Sequence, residues 1–172
     1  MNEELTRADA LFATLVEADP IVARLTTLPG IGPITASAYV AALDNVRRFR
    51  GAGQVTSYLG LVPREYSSGE RLRRGRLLRS AQPHLQSLLV QAAWRLSRSS
   101  SPGTAALRAW AQGITRRRGK HIAMVALARR LARMLFAMWR DGVPFDAARI
   151  RATRAHGAGP TVDEATRPAV NQ

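Results

Sequence analysis

The chain has 172 residues, enough for one domain with short arms; 46% of them are apolar, and aromatics reach 6%. Twenty-six Lys and Arg stand against 12 acids, a formal charge of +14 carried almost wholly by arginine. No cysteine is present, which excludes disulfides and thiolate metal sites.

Such a surplus favours a polyanion through steering and counterion release, and the guanidinium fork matches phosphate in a bidentate way. A solubilising surface is the competing explanation. The arginines cluster locally, which favours phosphate. The first twenty residues are acidic and lack a signal-peptide pattern. The most apolar stretch, 121–139, carries Arg129, Arg130 and Arg133, which makes it a poor membrane span. A cytoplasmic protein without membrane contact is expected.

In chain order, residues 3–18 predict an amphipathic helix with Leu5, Leu11, Phe12 and Leu15 on one side. Asp19-Pro20 reads as an N-cap followed by Pro at the first helical position, opening a short helix to Leu28. Residues 29–33 form a turn, and a helix over 34–43 follows. Gly51 and Gly53 mark a break before a short helix over 54–59. No period emerges over 60–75, which reads as a loop or a short irregular hairpin.

Pro83 opens a helix striped by Leu85, Leu88, Leu89, Ala92 and Leu96. Residues 97–103 are a loop. Leu107, Trp110 and Ile114 mark the next helix, ended by Arg116-Arg117-Arg118-Gly119. The strongest helix spans 120–140 on a stripe of Met124, Leu127, Leu131, Met134, Leu135 and Met138, and Asp141-Gly142 stops it. The expected fold class is all-α: a small helical domain with a helix-hairpin-helix element, an irregular Ser/Arg loop and a disordered tail. Its parts are a linker or dimerisation helix (1–19), the domain proper (20–148) and the tail (149–172).

Two motifs carry chemistry. In Leu28-Pro29-Gly30-Ile31-Gly32-Pro33-Ile34-Thr35, the glycines allow close backbone approach. The amides of Gly30, Gly32, Ile34 and Thr35, at a helix N-terminus, are candidates for a phosphate. An ordinary αα-hairpin explains the same glycines. The second motif is Tyr66-Ser67-Ser68-Gly69, preceded by Arg64 and followed by Arg71, Arg73, Arg74, Arg76 and Arg79. A hydroxyl among guanidiniums has the parts for phosphoryl transfer, or for a phosphate clamp without chemistry. Arg116, Arg117, Arg118 and Lys120 form a third basic cluster, suited to the helix dipole and to phosphate alike. The three histidines lie far apart in sequence and the acids show no ligand spacing, so no metal is expected within the chain.

Four blocks occur in order: Leu28-Pro29-Gly30-Ile31-Gly32-Pro33; Tyr58-Leu59-Gly60-Leu61-Val62-Pro63 through Ser68-Gly69; Leu88-Leu89-Val90-Gln91-Ala92-Ala93-Trp94; and Ala126-Leu127-Ala128-Arg129-Arg130-Leu131 to Asp141-Gly142-Val143-Pro144-Phe145-Asp146. Together, over roughly residues 20–148, they resemble the C-terminal, serine-bearing domain of IS110/IS116-type insertion-sequence transposases. Pilin-gene DNA invertases and bridge-RNA-guided recombinases are related to that group. The resemblance implies transposition or site-specific recombination of DNA. Ser68, with Ser67 as fallback, is then a nucleophile that forms a phosphoserine link.

The resemblance also implies a RuvC-like domain with a DEDD set of acids holding divalent metal (Mg); that set is not found here, so strand transfer is expected only with such a domain supplied. DNA, a guide RNA, further copies of the chain and a separate RuvC-like domain are the partners it implies. Ala81, Gln82 and Gln86 stand where the family favours Gly, Asn and Arg. The rival readings are a non-catalytic nucleic-acid-binding module and an inactive remnant.

Overall fold

The computed structural model describes residues 18–68, 71–77 and 82–148, with positions 4, 6, 7, 10, 13 and 14 before them; over 63–77 it describes the backbone. The elements are α1 (Pro20–Thr26), α2 (Pro33–Leu43), α3 (Ala52–Tyr58), β1 (Pro63–Ser68), β2 (Arg71–Leu77), α4 (Pro83–Arg98), α5 (Ala105–Arg118) and α6 (Lys120–Asp141), with 3-10 turns at Val46–Arg48 and Pro102–Thr104. The domain is helical, as expected. The stretch 60–75 takes the hairpin alternative: β1 and β2 pair antiparallel, irregular only between Pro63 and Glu65. Charged residues at alternate and at adjacent positions, as in Arg71-Leu72-Arg73-Arg74, erase the period-two signal that exposes a strand.

The described positions from 4 to 18 are helical, but the apolar stripe expected there (Leu5, Leu11, Phe12, Leu15) lies outside the described residues, as does the tail over 149–172.

Local chemistry sets the helix ends. Asp19 Oδ1 accepts the amides of Ile21 (2.8 Å) and Val22 (3.3 Å), capping α1 ahead of Pro20. At the far end of the chain, Gly142 takes a left-handed conformation (φ 68°) and its amide and that of Val143 return to Trp139 and Met138, closing α6.

The core gathers on α6, which packs against α5, α4, α3 and α1. Its inward side carries Met124, Leu127, Leu131, Leu135 and Phe136, with Ala123, Ala128 and Ala132 between them, all buried. The alanines let neighbouring helices approach closely. Each buried Leu or Phe stabilises by about 1.5–3 kcal/mol. Leu85, Leu89, Ala92 and Leu96 of α4 meet this face, so the stripe expected for that helix is its buried side apart from Leu88, which is half-buried. The Tyr39 hydroxyl of α2 is buried and donates to the Ala132 carbonyl of α6 at 2.8 Å, tying two elements 93 residues apart. Burial pushes the Tyr39 phenol far above its ordinary range, so it stays a donor.

Candidate nucleic-acid interface

The serine hairpin leaves the core through a fixed exit. Gly60 follows α3 with φ 65°; its amide donates to Ser57 (3.0 Å) and that of Leu61 to Thr56 (2.9 Å), a Schellman closure between the fully buried Leu59 and Leu61. The Gly60 carbonyl accepts Gln86 Nε2 of α4 at 2.8 Å. Gln86 therefore serves the scaffold: it locks the base of the hairpin onto α4.

Beyond that base the register sets Glu65 across from Arg74, Tyr66 from Arg73, Ser67 from Leu72 and Ser68 from Arg71, with Gly69 and Glu70 separating the strands in sequence. By strand alternation, positions 66, 68, 71 and 73 fall on one face of the ribbon and 65, 67, 72 and 74 on the other. Ser68 and Ser67 are therefore not equivalent: Ser68 shares its face with two arginine positions, Ser67 with one arginine and one glutamate position. Arg64 falls at the irregularity and Arg76 one position before the Pro63–Leu77 pair. Arg79 lies outside the described residues.

The glycine turn sits between α1 and α2. Gly30 has φ 93°, and a Cβ there would lie 3.3 Å from the Ala92 carbonyl and 3.4 Å from Leu96 Cβ. This glycine is required by close approach to α4. Gly32 faces open space and precedes α2 without a side-chain cap. The amides at Gly32, Ile34 and Thr35 lie at that first turn, which contains no acid. Ile34 is 60% exposed beside them, whereas Thr35 is buried.

The third cluster is a corner. α5 ends in Arg116, Arg117 and Arg118, all exposed, and Gly119 (φ 86°) turns the chain directly into α6. Like α2, α6 begins without a side-chain cap and without an acid in its first turn. Its positive dipole end therefore directly follows three exposed arginines in the chain. Lys120 Nζ lies 5.0 Å from the Trp94 ring centre and His121 meets the same ring edge-on at 5.9 Å, while Ile122 beside them is 54% exposed. Arg117 Nε donates to the Gly113 carbonyl at 3.1 Å, which steadies one of the three.

A fourth group has no counterpart in the sequence reading: Arg47, Arg48 and Arg50, all exposed, between α2 and α3. Three arginines within four residues was the signal available. Elsewhere arginine serves the scaffold. Arg108 Nη1 donates to the Ser101 carbonyl and to Thr104 Oγ1, both at 2.7 Å, and Arg130 lies 4.8 Å from the Trp110 ring centre. Among the described residues no three His, Asp or Glu come together, and no helix is long and apolar enough to cross a membrane.

Besides the hairpin the domain thus exposes arginine clusters at 47–50 and 116–118, and comparison with known proteins gives them context. The family model described as "Transposase IS116/IS110/IS902 family" matches residues 22–109. The chain is 36% identical over 145 residues to a probable family 20 transposase of Pseudomonas aeruginosa, covering 80% of this chain and 43% of that protein. It is 30% identical over 115 residues to the transposase for insertion sequence element IS1111A of Coxiella burnetii, covering 67% of this chain and 32% of that protein. With the pilin gene-inverting protein of Moraxella bovis it shares 27% identity over 151 residues, 84% of this chain and 46% of that protein. The chain spans less than half the length of these relatives.

Proposed function

From the premise that the chain belongs to the IS116/IS110/IS902 transposase family, we propose that it is the DNA-gripping, serine-bearing part of a transposition machinery, with Ser68 as nucleophile. The observation that carries this is the hairpin register, in which position 68 pairs with position 71 next to the turn, on a ribbon whose second strand also contains Arg73, Arg74 and Arg76.

In this reading a DNA strand lies along the ribbon with a phosphodiester at position 68. The Ser68 oxygen forms a bond to phosphorus as the bond to one strand's ester oxygen breaks. The serine proton is removed as that bond forms, and the displaced oxygen takes up a proton. The product is a phosphoserine link, reversed when a hydroxyl of a second strand attacks the same phosphorus and restores the serine. Guanidiniums stabilise the non-bridging oxygens, where charge gathers in the transition state. Arg64, Arg71, Arg73, Arg74, Arg76 and Arg79 are assigned to that task. The amides of Gly32, Ile34 and Thr35, with Arg116, Arg117, Arg118 and Lys120, hold the backbone on either side and fix register without reading sequence. A partner domain bearing acids and divalent metal would supply the base and complete the reaction.

The test pairs the chain with an acid-bearing RuvC-like domain and end-labelled DNA, and looks for a protein–DNA link that survives denaturation. The link should vanish in Ser68→Ala and persist in Ser67→Ala. Its persistence in Ser68→Ala sinks the nucleophile assignment.

One observation favours a second reading, a binding module without chemistry. Gln86, standing where the family favours Arg, spends its amide on Gly60. Under that reading DNA binding is retained while no covalent link forms with any serine present.

A further inference from the structure

We infer that the turn between α2 and α3 is a further backbone-gripping site, taking phosphates of duplex DNA on Arg47, Arg48 and Arg50. The inference rests on the reading of this chain as a DNA-binding domain and adds a surface that neither the sequence motifs nor the hairpin implied.

The turn is built to hold cations still. It begins at Asp44, the one non-glycine residue with positive φ among the described residues (φ 57°, ψ −60°). The Asn45 amide donates to the Leu43 carbonyl at 2.6 Å around it, so Asp44 is the centre of a γ-turn, a sparsely populated conformation for a residue with a side chain. The backbone beyond is pinned at both ends by side-chain acceptors. Asn45 Oδ1 takes the Arg47 amide at 2.9 Å, and Gln54 Oε1 takes the Arg50 amide at 2.8 Å. Val46 and Phe49 are buried and anchor the turn from below. The chain therefore alternates between anchors that point inward and arginines that remain exposed.

Among the described residues the one ion pair within 4 Å joins Arg140 to Asp141, so Arg47, Arg48 and Arg50 are not neutralised there, even with Asp44 three residues away. The Arg48 guanidinium lies 5.2 Å from the Phe49 ring centre and 5.6 Å from that of Tyr58, and those rings meet at 5.5 Å. This aromatic seat restricts a side chain that would otherwise lose much freedom on binding. Gly51 and Gly53 follow, and a Cβ on either would meet nothing within 4 Å. A rod-like polymer can thus come down close to the backbone beside the arginines.

Position completes the argument. The seven-residue α3 separates this turn from the Gly60 exit of the hairpin, a span of about 10 Å at 1.5 Å per residue. Phosphates recur about every 3.4 Å of axis along each strand, so one duplex can engage turn and ribbon together. Asn45 and Gln54, the amide side chains of this turn, spend their oxygens on its backbone, and contacts to phosphate oxygens carry no sequence information. The contact should therefore be sequence-independent.

The experiment measures binding of the full chain to a random-sequence DNA duplex by fluorescence anisotropy over a salt series, with thermal melting as the check on folding. Arg47→Gln with Arg50→Gln should leave melting unchanged and flatten the slope of log K against log salt by about 1.8, at about 0.9 per phosphate contact. Arg47→Lys with Arg50→Lys should keep the parent slope. If the parent chain binds but the glutamine pair leaves its slope unmoved, this site is wrong and the wider reading stands. If the parent shows no salt-dependent binding, both fall. If the pair flattens the slope for an RNA duplex and not for DNA, the assignment to DNA is overturned.

Discussion

Two helices of this domain, α2 and α6, begin in the same way: after a glycine, with no side-chain cap and no acid in the first turn. Their surroundings are opposite. The turn before α2 lies close against α4, where a Cβ on Gly30 would come within 3.3 Å of the Ala92 carbonyl and 3.4 Å of Leu96 Cβ. The corner before α6 stands open, and a Cβ on Gly119 meets nothing within 4 Å. Three exposed arginines lead into that corner, whereas none lies within the turn over residues 27–33. An open helix N-terminus supplies only a modest partial charge. Neighbouring full charges decide whether it attracts a polyanion. Under the proposed function, stability falls mainly to the glycine turn and affinity for a polyanion mainly to the arginine corner.

The largest expected effect tests the first half. Gly30→Ala combines a positive φ with overpacking against backbone, and should destabilise by roughly 3 kcal/mol in chemical denaturation. Gly119→Ala meets the strain of φ 86°, ψ 161° without the clash and should cost about 1–2 kcal/mol. Equal losses at the two glycines would mean that the packing around Gly30 yields, and the contrast would dissolve.

The second half is tested at the corner. Arg116, Arg117 and Arg118 changed together to Gln should flatten the salt dependence of DNA binding by about 2.7 while leaving the melting temperature within a degree or two. If the triple variant binds with the parent slope and Gly32→Ala weakens binding instead, affinity belongs to the glycine turn.

These expectations mark how far the sequence could be read. The stripes of α4 and α6, the Asp19 cap and the Gly142 stop were legible because periodicity and capping are local. The hairpin was legible only as one of two alternatives, a loop or a short irregular hairpin, since arginine stands at both odd and even positions of its second strand and leaves no alternation to decide between them. Gly30 read as a phosphate-facing glycine; its need to approach α4 depends on Ala92 and Leu96, more than sixty residues on. Gln86 read as a departure from the family pattern, and its pairing with Gly60 crosses 26 residues. The Arg48 seat needs Phe49 and Tyr58 brought together by α3. Ser68 was reached through the order of four motif blocks; its own surroundings in sequence fit a phosphate clamp as well as a nucleophile.

The smallest effect concerns the place where the helices from both corners meet. Tyr39 of α2 donates to the Ala132 carbonyl of α6 at 2.8 Å and stacks obliquely on Trp139 at 6.5 Å. The carbonyl can keep its helical partner, so Tyr39→Phe should cost only about 1 kcal/mol. Its clearer signature is in alkali. Burial holds the folded phenol protonated while the unfolded phenol ionises above its ordinary value of about 10. The unfolded chain then binds one proton fewer, so stability is undiminished below that pH and falls by about 1.4 kcal/mol for each unit above it. Lys120 is the single lysine and arginine does not titrate in this range, and what background the remaining groups give is common to the parent and the Tyr39→Phe variant. Denaturation at a series of pH values from 9 upward, on the parent and on Tyr39→Phe, should show a decline that is shallower in the variant by one proton's worth. Parallel declines would mean that Tyr39 ionises in place, and that the contact joining α2 to α6 is open to water.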